Sequence, residues 1–222
     1  MRTKIYQIDK DTFGTKFMDY DFTTQKAGEI RPELYQEVFN ADIDEENLEA
    51  VYTRFNSTHH PLFRGHSLSV SDVVVNDKGA FFVDSIGFKK IDFDESKTHK
   101  PDNLMRIVYV EPHRPAFEAE IPHEYEAESK AVGGLIEVVG NGDETCIVCN
   151  DEGKLIGMEG NRHLDNGVSI IAGPFFVCGE TLDDFRSLTD EETQKYLERF
   201  SEPEDISRAE VEADMGFTFY SW

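Results

Sequence analysis

A chain of 222 residues with 39% hydrophobic side chains, including 17 Phe and 8 Tyr, can build packed cores, which excludes a disordered polymer. Its 45 acidic and 22 basic side chains leave a formal charge of −23 with His neutral, which opposes contact with nucleic acid or anionic membranes and favours basic surfaces. No apolar run approaches a bilayer span, "MRTKIYQIDKDTFG" lacks a signal-peptide core, and 3 Cys do not suggest a disulfide framework, so a soluble protein of a reducing cytoplasm is expected.

From the N-terminus, "TKIYQI" and "FGTKFMDYDF" read as short strands, and "RPELYQEVF" as a short helix. In "IDEENLEAVYTRFN", Asp44 is the expected N-cap. Leu48, Val51, Tyr52 and Phe55 fall at i, i+3, i+4 and i+7, the spacing of an amphipathic helix packed on a sheet. "SLSVSD" alternates serine with Leu68 and Val70, which predicts a strand with Ser67, Ser69 and Ser71 on one face. "VVVNDKGAFFV" is two β-rich runs around Asn76-Asp77-Lys78-Gly79, a hairpin signal, and Asp72 is expected to cap or brace a turn ahead of it. The polar stretch "DFDESKTHKPDN" (92–103) reads as a linker, dividing the chain into domains at 1–95 and 104–222.

The second half opens with strands at "LMRIVYVEP" and "AFEAEI", then a helix at "PHEYEAESKAV" stopped by Gly133-Gly134. Three β runs follow, "LIEVVG", "TCIVCN" and "IIAGPFFVCG". "LTDEETQKYLERF" carries a capping box, Thr189 with Glu192, and an apolar side of Tyr196, Leu197 and Phe200. The aromatic tail "MGFTFYSW" alternates and reads as an added strand, or a segment that docks on a partner. The expected fold class is α+β: two small domains, each a mostly antiparallel sheet with one or two packed helices.

Few residues carry a chemical signature. Cys146-Ile-Val-Cys149 would sit within a strand, where residues three apart face opposite sides, so neither a zinc site nor a thioredoxin-type motif is expected. His59 and His60 read as loop residues, His66 and Ser67 as strand neighbours pointing apart, and no phosphate-binding or dinucleotide fingerprint is present. No catalytic residue, metal or cofactor is assigned. Charge is the stronger signal: residues 1–100 carry −5 and residues 101–222 carry −18. Residues 118–128 hold five Glu (Glu118, Glu120, Glu124, Glu126 and Glu128) and no Lys or Arg. Residues 180–214 hold 13 acids against four bases, among them Asp183, Asp184, Asp190, Glu191 and Glu192. On one face, these clusters would imitate a phosphate backbone; otherwise they are two solvated helix faces.

The stretch "LEAVYTRFNSTHHPLFRGHSLSVSDVVVNDKGAFFVDSIGFKKI", above all Arg64 to Val75 and Val83 to Phe88, resembles the YodL-like domain of Firmicutes over about residues 30–93. The second half is similar to an uncharacterised domain family of mobile elements over about residues 104–200. The matching residues are Val110 to Pro112, Lys130 to Glu137, Val148 to Leu155, Asn161-Arg162 and Ile170 to Phe175. These resemblances imply an accessory protein of phages or conjugative elements and bring no catalytic apparatus with them. The leading expectation is a non-enzymatic acidic inhibitor in the cytoplasm of a host bacterial cell. It would bind the basic, nucleic-acid-binding surface of a CRISPR or restriction effector, without touching nucleic acid or membrane itself. The alternative is a modulator of an actin-like filament that acts through Arg64, His66, Ser69 and Asp72; an uncharacterised enzyme is a third reading.

Overall fold

The computed structural model describes residues 1–164 and 169–215. The chain divides into two compact units, Met1–Asp102 and a second that begins at Asn103. Both combine antiparallel sheets with a few helices, an α+β architecture.

The first unit consists of β1 (Arg2–Ile8), α1 (Tyr20–Ala27), β2 (Tyr35–Asp42), α2 (Leu48–Ser57), β3 (Val73–Asn76), β4 (Gly79–Val83) and β5 (Phe88–Ile91). The strands form one antiparallel sheet in the order β2-β1-β3-β4-β5. β1 lies inside the sheet between β2 and β3, and its residues Ile5 to Ile8 are buried on both faces. Tyr6 and Ile8 pack with Leu34, Tyr35, Val73 and Phe82. Ile5 pairs with Phe39, whose ring meets Phe55 of α2 at 4.8 Å. The β3–β4 hairpin turns at Asp77-Lys78 as its sequence predicts, with Lys78 N–H donating to the Asn76 side chain at 2.9 Å.

Four local expectations are overturned here. "FGTKFMDYDF" is a turn followed by α1, whose N-cap Asp19 accepts from Phe22 N–H at 2.8 Å. "RPELYQEVF" is helical only over Pro32–Leu34, and Tyr35 already begins β2; burial on both faces of that strand imitates helical spacing. The cap of α2 is Asn47, which accepts from Ala50 N–H, rather than Asp44, and Tyr52 stays 38% exposed while Val51 and Phe55 are buried. "SLSVSD" forms a loop, so Ser67, Ser69 and Ser71 share no strand face. Residues 92–103 are also more than a spacer. Glu95 accepts Lys4 at 2.7 Å and the Tyr6 hydroxyl at 2.5 Å, and His99 bridges to Gln36, which fastens the segment to the first sheet.

The second unit contains β6 (Leu104–Val110), β7 (Phe117–Pro122), α3 (Tyr125–Val132), β8 (Ile136–Gly140), β9 (Thr145–Asn150), β10 (Gly160–Leu164), β11 (Ser169–Ala172), β12 (Phe175–Glu180), β13 (Phe185–Arg186), α4 (Asp190–Arg199) and α5 (Arg208–Asp214). The main sheet runs β7-β6-β12-β9-β8, with β13 hydrogen-bonded to β12 and the β10–β11 hairpin standing apart. β12 occupies the middle, so Val177 pairs with both Val108 and Ile147. On one face, Val108, Val110, Ile147, Phe175 and Val177 pack with Leu188, Tyr196 and Phe200. On the other lies α3, where the Tyr109 hydroxyl donates to Ala131 O at 2.7 Å. Gly133 ends α3 in the left-handed conformation, φ 77°. "IIAGPFFVCG" is two strands rather than one. Gly173, at φ 87° before Pro174, breaks the run, so β11 pairs with β10 while β12 enters the main sheet. The tail reading at 216–222 lies outside the described residues.

Candidate binding surface

The Arg64–Asp72 segment folds into a hydrogen-bonded knot against β1. Gln7 is its hub: its side-chain amide donates to Asp72 Oδ2 at 2.9 Å and to His66 O at 2.8 Å, while its Oε1 accepts His66 N–H at 3.0 Å. Asp72 also accepts Ser69 N–H at 2.8 Å, and the Ser69 hydroxyl donates to Ser67 O at 2.7 Å. Arg64 donates to Glu37 O at 3.1 Å and lies 3.7 Å from the Glu37 carboxylate. A side chain on Gly65 would overlap the Gln7 amide, which explains the Arg-Gly-His step. Burial, opposed by the Ser69 and Gln7 donors, pushes the Asp72 carboxyl up to about 7.

The motif is therefore built inward, and only part of it reaches the surface. Ser71, at φ 80°, is held by Tyr35 and in turn accepts Phe17 N–H at 2.9 Å, fixing Phe17 at φ 65°. Phe17 remains 54% exposed with its ring 5.1 Å from that of His66. The histidine at the Ser67 hydroxyl is His59, at 3.4 Å, while His66 Nδ1 meets the Ser67 backbone carbonyl at 2.9 Å; among the described residues no carboxylate orients the His59 ring. His60, expected in a loop, is there but fully buried against Phe39.

In the second unit, the acids of residues 118–128 divide between the two faces of the sheet. Glu118 and Glu120 of β7 pair with Val108 and Arg106, placing them on the α4 side. Glu124 and Glu126 are exposed at the start of α3, while Glu128, one turn on, is only 5% exposed. Burial raises the Glu128 carboxyl above its ordinary range; His123 opposes this, and Asp184 and Glu124 add to it.

The later cluster is equally mixed. Asp190 binds Arg106 at 2.6 Å. Glu192 grips both terminal nitrogens of Arg186, at 2.8 and 2.9 Å, and completes the Thr189 capping box. These bonds hold its carboxyl down at about 2. Asp184 accepts His123 Nε2 at 3.0 Å. Asp183 and Glu191 are exposed and make no ion pair with any described residue. The two clusters do converge at one place: Glu128 lines a cavity of about 280 Å³ together with Glu180, Thr181, Asp183, Asp184 and Phe185. Sequence reasoning counted Glu180 in the acidic cluster of residues 180–214 without singling it out; it closes β12 at that cavity.

The remaining signature residues serve the interior. Asn161 donates to Val110 O at 3.0 Å and Gly173 O at 2.8 Å. Arg162, 1% exposed, donates to Arg114 O at 2.6 Å, Phe200 O at 3.3 Å and both oxygens of Asn161. Cys146 and Cys149 face opposite sides of β9: Cys146 meets Cys178 at 3.6 Å, and Cys149 lies 4.0 Å from Glu137. Among the described residues, no group of three or more His, Cys, Asp or Glu is placed to hold a metal ion, and no helix is long and apolar enough to cross a membrane.

The chain is thus a tandem of two antiparallel α+β domains. Residues 2–93 match the YodL-like domain, β1 included, and residues 105–201 match a domain of unknown function, DUF3846. No curated protein and no solved structure matches the chain.

Proposed function

We propose that this chain is a non-catalytic binding protein whose second domain docks on a basic protein surface. The most specific form of this reading is an inhibitor encoded by a mobile element that covers the nucleic-acid-binding surface of a host defence nuclease. One observation carries it. Within a half that bears −18, the exposed carboxylates of Glu124, Glu126, Asp183 and Glu191 are committed to no described ion pair. Uncompensated charge of this kind steers association toward a cationic partner and leaves binding sensitive to salt.

The test immobilises the whole chain in a lysate with active CRISPR and restriction systems and compares retention at low and higher salt. A nuclease subunit that is lost as salt rises, and lost when Glu124, Glu126, Asp183 and Glu191 are changed to their amides, supports the reading. A nuclease that keeps its affinity for the amide variant defeats it. Phe17, exposed beside His66, favours a second reading in which the YodL-like domain binds a filament protein. Loss of that retention in Phe17→Ala, at all salt concentrations, separates the two.

A further inference from the structure

We propose that the cavity lined by Glu128, Glu180, Asp183 and Asp184 receives a cationic side chain, an arginine or a lysine, from a protein partner. The proposal rests on the docking reading above and names where that docking is anchored. Glu128 is buried to 95% by its neighbours and accepts no hydrogen bond from any described residue, yet it lines an open cavity. With no donor from the described residues, the carboxylate opens on the cavity, and a guest that enters there can supply the donors it lacks. His123, the basic group that acts on Glu128, already pairs with Asp184 at 3.0 Å.

The chemistry of the lining selects the guest. Three further carboxylates, Glu180, Asp183 and Asp184, share the cavity wall, and no set of three or more acids among the described residues is close enough to ligate one metal ion. Acids too far apart for a point charge suit a group whose donors are spread out. A guanidinium presents five N–H donors in a planar fork, and Phe185 supplies an aromatic wall on which such a plane stacks. Arginine is accordingly the better guest, and lysine the weaker one.

The experiment titrates the full chain with blocked tri-arginine and tri-lysine peptides at constant ionic strength, following binding by calorimetry and by backbone amide shifts. Tri-arginine is expected to bind more tightly and to shift the amides of α3 and residues 180–185. Glu128→Gln, which keeps the shape and removes the charge, is expected to weaken binding by about tenfold, as loss of a charge-assisted contact does. Glu180→Gln should act in the same direction, and Glu202→Gln, exposed beyond α4, should not.

Equal effects of Glu128→Gln and Glu202→Gln overturn the pocket. The docking reading then survives only if the amide variant of the exposed acids still loses its partner. If calcium produces the same shifts and Glu128→Gln abolishes them, the cavity is a metal site and the proposal falls.

Discussion

Gln7 and Asp72, 65 residues apart in sequence, are joined side chain to side chain at 2.9 Å in the interior of the first unit. This contact ties the loop of residues 66–72 to β1. Gln7→Ala strands the Asp72 carboxylate and the His66 backbone groups together, so a loss of about 2–3 kcal/mol is expected in urea unfolding. Gln7→Glu should be worse above neutral pH, because it faces Asp72 with a second charge.

Asp72 also makes stability depend on pH. Its folded-state value, about 7, lies above that of an unfolded aspartate. Its contribution is therefore complete in acid, below the unfolded value, and is lost as pH rises toward and through 7. Ser69, Gln7 and Lys16 favour its charged form, but burial outweighs them. Asp72→Asn should flatten the change in melting temperature between about pH 4 and 7.

Arg162 holds three separate backbone segments through their carbonyls, at residues 114, 161 and 200. Arg162→Met keeps much of the volume and orphans those acceptors. A cost of about 3 kcal/mol or more is expected, and Arg162→Lys should recover only part of it, because a lysine cannot fork between two carbonyls.

Capping boxes open both C-terminal helices, Thr189 with Glu192 and Ser207 with Glu210. Thr189→Ala and Ser207→Ala should each cost about 1 kcal/mol. The effect at Thr189 should be the larger in thermal melts, since Glu192 also anchors Arg186.

The three thiols should be silent toward alkylation in the native state. All are buried, and burial, with Glu137 adding to it, pushes Cys149 up to about 12. Mass spectrometry after iodoacetamide treatment at pH 8 should find no adduct until denaturant is added; rapid native labelling of Cys149 would contradict the packing.

Much of the secondary structure was legible in sequence where one local signal dominated: the Asn76–Gly79 turn, the Gly133 stop and the Thr189 capping box. Expectations went astray where a residue answers to two partners at once. β2 is covered on both faces, so its burial pattern lacks alternation and passes for a helix. α1 hid behind the aromatic spacing of the turn before it, although Asp19 and Gly28 mark its ends. α5 carried an unread Ser207–Glu210 box. The site was legible only as composition. That Glu128 would be buried while Glu124 and Glu126 stay in water depends on one helical turn, and the meeting of residues 128 and 180 depends on sheet order, which spacing along the chain does not encode.

Asp72, Asn161, Arg162 and the glycine at 173 belong to the motif stretches that carry the two resemblances, and all four are buried. Detecting such a motif in another chain therefore reports a shared chassis. Its cargo must be read from the carboxylates, aromatics and bases that each chain mounts on the outside, and two chains with identical signatures are free to hold unrelated partners.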